Sequence, residues 1–125
     1  MFRDLIASTK FKPNVITVKY NMNYHCVESK TNVCRSGEEY YQWHNDNLYG
    51  ACLLALARVA DENGYTLAWV ETGLDAVFVR KDRLCPKSSV PFNEFCYATG
   101  HPMHQGASTV DQEKWIAEYP GSLVP

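Results

Sequence analysis

Residues 47–80 carry the strongest structural pattern in the chain. Leu48, Cys52, Leu56 and Val59 recur at spacings of four, four and three, which places them on one face of a helix. Leu53, Ala57 and Ala60 widen that face until most of the helix is apolar. Such a helix is buried between other elements rather than laid on a surface. Asp46 and Asn47 stand where side chains cap a first turn, and Asn63-Gly64 where a left-handed residue closes a last one, so the helix is expected over 47–63. Tyr65 to Glu71 and Asp75 to Arg80 then read as two strands around Thr72-Gly73, an antiparallel hairpin. In the second strand Val77 and Val79 alternate with Ala76 and Phe78, so both faces are apolar and the strand is expected to be central.

Upstream, Phe2, Leu5 and Ile6 share one side of a short helix that Pro13 prevents from continuing. Asn14 to Tyr20 is rich in β-branched residues and reads as a strand, with Ile16, Val18 and Tyr20 on its apolar face. The apolar faces of 75–80 require a neighbour on each side. The expected sheet is therefore 15–20, 75–80, 65–71 in spatial order, the middle strand antiparallel to both. Leu48, Leu53, Leu56, Val59, Leu67, Val77 and Val79 are the expected core. Residues 21–46 show no period and read as a long loop, a kind of segment that in compact domains is usually functional or disordered. Tyr24, Tyr40, Tyr41 and Trp43 argue against simple disorder.

Two parts are expected: an α/β domain over 1–84, and an irregular tail over 85–125. Pro86, Pro91, Pro102 and Pro120 punctuate the tail. Its single regular piece is a short helix near 110–118, opened by Thr109 with Gln112 at the capping-box spacing and docked by Trp115, Ile116 and Tyr119.

Charge and cysteine content narrow the function classes. With 125 residues, 46% of them apolar, the chain can bury a core. A net charge of −2 without a basic block gives no footprint for nucleic acid. No apolar run approaches the roughly 20 residues of a membrane span. The opening MFRDLIASTKFKP is charged in its first turn, unlike a signal peptide. Five cysteines, an odd number without regular spacing, point to free thiols in a reducing, cytoplasmic compartment. Cys52, inside the apolar helix, reads as a small buried hydrophobe.

The run Tyr49-Gly-Ala-Cys-Leu-Leu-Ala-Leu, then Asn63-Gly-Tyr-Thr-Leu, then Gly73-Leu-Asp-Ala-Val-Phe-Val-Arg80 resembles the C-terminal half of FkbM-type, S-adenosylmethionine-dependent methyltransferase-like domains. The resemblance spans about residues 1–84. It implies a partial Rossmann-like sheet of the three strands above with the buried helix 47–63, and a parent activity of methyl transfer. Cys52 stands where such sequences usually carry Ser, Asp75 where they carry Asn, and Lys19 where they carry Glu. The first half of that fold, with its Gly-rich turn and ribose-binding carboxylate, has no counterpart: no G-x-G occurs in the sequence. The isolated chain is therefore expected to bind no S-adenosylmethionine, while a complete parent domain would use it. An open sheet edge also implies self-association, or a partner that completes the sheet.

In an open α/β sheet, ligands sit beyond the C-terminal strand ends. The loop after 15–20 lies there, which makes Asn21, Asn23, Trp43, His44 and Asp46 the candidate substrate contacts; the alternative is that Asp46 only caps and Trp43 only packs. No catalytic residue is assigned. His101-x-x-His104 with Cys96 and Cys85 invites a zinc site, but no C-x-x-C accompanies it and Pro102 spoils a helical presentation, so polar loop histidines are the preferred reading. His25 with Cys26, or Cys34 with any histidine, lacks the marks of an activated thiol. The class opposed to an enzyme is a non-catalytic interaction module built on the half-sheet.

Overall fold

A computed structural model describes residues 2–8, 10–22, 24, 28–32, 39, 50–71, 75–85, 90–98 and 116–118, the side chains of 96–98 and 116–118 excepted. The sheet forms as the apolar patterns require. Strands β1 (Val15–Lys19), β3 (Tyr65–Val70) and β4 (Asp75–Arg80) make a three-stranded sheet in the order β1-β4-β3, with β4 antiparallel to both neighbours. β1 and β3 thus run parallel, and parallel strands need a crossover; the chain between them includes helix α2 (Leu53–Glu62). Glu71 N–H donates to Asp75 O at 2.8 Å and closes the hairpin ladder beyond Val70↔Ala76. The turn at 72–74 lies outside the described residues.

The core lies on one face of this sheet. Tyr65, Leu67, Ala76 and Phe78 are buried there with most of α2, from Leu53 to Ala60 except Arg58. Helix α1 (Phe2–Ala7) adds Ile6, fully buried, and Phe2, whose ring stands 5.7 Å from that of Phe78. Lys12 Nζ donates to Ile6 O at 2.6 Å and sits 5.8 Å from the Tyr65 ring centre, while Tyr65 Oη donates to Pro13 O at 2.7 Å. The segment between α1 and β1 is thereby pinned to β3. Leu5, by contrast, is 44% exposed rather than packed beside Ile6.

Two assigned core residues, Val77 and Val79, are only half-buried, because their face of β4 is the outer one. Register makes this explicit: Val77 lies between Thr17 and Trp69, and Val79 between Val15 and Thr66. A β-bulge at Ala68 shifts the β3 register between Leu67 and Trp69. Without it Trp69 would follow Leu67 onto the core face; with it Trp69 stands on the outer face, 61% exposed. Val15 on the same face is 53% exposed. Leu48 lies outside the described residues.

Helix α2 starts later than its period suggests. Ala51 forms an antiparallel bridge with Thr31, and Cys52, with extended backbone, is the N-cap residue. Gly50 reaches this path with φ +55. The cause is non-local: β2 (Lys30–Asn32) takes Gly50 O and Cys52 N–H, and the first helical bond is the one Cys52 O accepts from Leu56 N–H at 3.2 Å. At the other end Asn63 Nδ2 donates to Val59 O at 2.8 Å, and Gly64 follows with φ +82, the left-handed closure expected of it.

Beyond residue 84 the structure corrects two expectations. A helix α3 (Phe92–Ala98) forms, and its Phe92 and Phe95, three apart, join the core. Residues 116–118, expected at the end of a helix, instead form strand β5 (Ile116–Glu118) antiparallel to β2. Among its described residues the long loop 21–46 thus contains a short strand, β2, whose partners are distant in sequence.

Candidate functional site

The C-terminal end of β1 gathers three segments. Asn21, just past the strand, is fully buried, and its N–H donates to Ala51 O at 2.8 Å. Residues 50–52 are fixed from their other side by β2: Asn32 N–H donates to Gly50 O at 3.1 Å, and Cys52 N–H to Lys30 O at 2.9 Å. One segment thus lies between the end of β1 and β2, and then delivers the chain into α2.

Cys52 is the polar centre of this junction and is completely buried. Its Sγ accepts from Lys30 N–H at 2.9 Å and donates to Glu28 O at 2.7 Å. Burial pushes its pKa up, and the nearby Glu28 charge adds to this; the N–H groups of Lys30, Ala55 and Leu54 act in the opposite sense and lose. The thiol is therefore neutral at physiological pH, a hydrogen-bonding wedge rather than a nucleophile. Around it, Lys30 Nζ stands 3.8 Å from the Glu28 carboxylate and 5.9 Å from the Tyr24 ring centre. The junction gathers a buried amide, a neutral thiol bonded on both sides within the chain, and a half-exposed ion pair.

Of the residues assigned from sequence, the structure places Asn21 at this junction; Asn23, Trp43, His44 and Asp46 lie outside the described residues, as do His25, Cys26, Cys34, His101 and His104 and the side chain of Cys96. Among the described residues no three His, Cys, Asp or Glu side chains gather as metal ligands, and no helix is long and apolar enough to cross a membrane. Glu28, Lys30 and Cys52 were not foreseen as a group. Their mutual bonds run from backbone to sulfur, and no residue-type motif signals such bonds. No protein-family model, curated protein or solved structure matches the chain.

Proposed function

We propose that the chain is the sheet-closing, acceptor-side part of an S-adenosylmethionine-dependent methyltransferase-like domain of Rossmann-like design. One observation carries this: β1 and β3 run parallel with α2 between them in sequence, and β4 turns back to lie between the two strands. That is the arrangement the resemblance implies for its three strands and the helix between them. Ligands in open α/β sheets sit beyond the C-terminal ends of parallel strands, and the Asn21–Ala51–Cys52 junction stands at that end of β1. Methyl transfer relies on proximity and orientation more than on strong acid–base groups, and the junction offers positioning groups. Asn23, Trp43, His44 and Asp46 would contact the acceptor, and the fully buried Asn21, also expected there from the sequence, would act by holding the junction in place.

The described residues do not fit the cofactor itself. Gly64 closes α2 at the start of β3, the wrong strand end, and Gly50, with φ +55, leads into the segment that bridges to β2 and then enters α2. Neither glycine makes a phosphate- or carboxylate-binding turn after a parallel strand. The cofactor contacts of the proposed parent domain therefore belong to other strands, and no catalytic step is assigned to this chain alone.

A second reading, a non-catalytic interaction module on the half-sheet, draws on the exposed Val15 and Trp69 of the outer face. The test that separates the two is the reading frame preceding the Met1 codon. The methyltransferase reading expects a strand–G-x-G–helix unit there, and expects the extended polypeptide to bind S-adenosylmethionine in calorimetry. Absence of that unit, or an extended chain that binds no cofactor, overturns it in favour of the module.

A further inference from the structure

The β2–β5 ribbon is joined in series to the end of β1. Residues 30 and 32 direct their backbone groups toward 50–52, through Cys52 N–H to Lys30 O and Asn32 N–H to Gly50 O. In an antiparallel ladder this leaves Thr31 to turn its N–H and C=O the other way, toward Ala117 of β5, its register partner. Ile116 and Glu118, on either side, then point their N–H groups away from β2. A three-residue ribbon of this kind is marginal by itself. Its residues in β2 are half-buried, whereas β4 carries fully buried Ala76 and Phe78. The ribbon therefore opens at lower free energy than the sheet.

β2 also covers the thiol, since Lys30 N–H and Glu28 O hold Cys52 Sγ between them. We propose that residues 116–118 are a detachable strap: paired, they hold β2 over Cys52 and the C-terminal end of β1; lifted, they open both to solvent. The strap is a device of the fold and does not require methyl transfer, so its test is independent of that reading. Cys52 serves only as the reporter.

The experiment measures iodoacetamide alkylation of Cys52 by peptide mass spectrometry on the full chain, with amide exchange of β4 followed in parallel. In the unmodified chain, Cys52 is expected to react faster than β4 exchange would permit if thiol exposure required global unfolding. Ala117→Pro removes the N–H facing Thr31 and should speed alkylation roughly tenfold, the scale of one lost backbone hydrogen bond. Glu118→Pro introduces the same ring at a position whose N–H points away, and should leave the rate near that of the unmodified chain. Throughout, β4 protection should not change. Equal rates for Ala117→Pro and Glu118→Pro overturn the strap, and so does alkylation that rises only in step with β4 exchange.

Discussion

Leu56 shows how far a single side chain in α2 can be held to account. It is buried inside a helix whose first two turns are almost wholly covered, so its truncation removes packed apolar atoms from the core. Leu56→Ala should cost about 2–5 kcal/mol in urea unfolding, the range for core truncations. A loss under about 0.5 kcal/mol, the surface range, would mean that the helix is not buried as described. Arg80 acts at the rim instead. Its Nε and Nη2 donate to the two Asp82 carboxylate oxygens at 3.0 and 2.6 Å, and Nη1 to Lys12 O at 3.0 Å, tying the end of β4 to the approach to β1. The Arg80 hydrogen bonds hold the Asp82 carboxyl below its usual range, with the Arg80 and Arg83 charges adding to them and desolvation opposing. Because the folded pKa is the lower one, this contribution is complete above the ordinary Asp range and is lost as pH falls through the lowered value. In an NMR pH titration Arg80→Gln should move the Asp82 midpoint upward; an unmoved midpoint would assign the shift elsewhere.

Among the elements, Gly64 gives the cleanest test. It adopts φ +82 with open space where a Cβ would stand, so Gly64→Ala is penalised by backbone conformation alone, by about 1–2 kcal/mol. An unchanged thermal midpoint would mean that α2 ends differently. This closure was legible in Asn63-Gly64, and so were the hairpin and the central place of β4, because each follows from residues close in sequence. The start of α2 was not. Asp46 and Asn47 have the chemistry of caps, yet residues 50–52 are taken by β2, some twenty positions upstream. β5 was misread for the same reason: Trp115, Ile116 and Tyr119 have helical spacing, and the partner that makes 116–118 a strand is at 30–32. α3 was missed because Phe92 and Phe95 supply a single turn's worth of stripe between prolines. At the site, Asn21 could be reached from the end of a strand. The polar, three-residue β2 that completes the junction carries no period to read.

At the scale of the whole molecule the sheet is covered unevenly. Buried side chains of α1, α2 and α3 cluster with Tyr65, Leu67, Ala76 and Phe78 on one face. The other face carries Val15, Val77, Val79 and the bulge-directed Trp69, two of them more than half exposed. Arg80 N–H donates to Asn14 O, which sets the β1–β4 ladder so that Val15 and Thr17 turn their backbone groups away from β4. Among the described residues no strand pairs with that edge. An apolar face beside an open edge favours association, so static light scattering should give a concentration-dependent mass above that of one chain. The double substitution Val15→Lys and Trp69→Lys should lower it toward the monomer. The proposed reading also carries an expectation for the cofactor. S-adenosylmethionine is charged and polar, so tight binding needs a preformed cradle of backbone N–H groups and a carboxylate for its ribose. The described glycines form no such cradle, and titration of the purified chain by calorimetry should show no specific binding at micromolar concentration. A monodisperse monomer that binds the cofactor at that level would contradict both expectations at once.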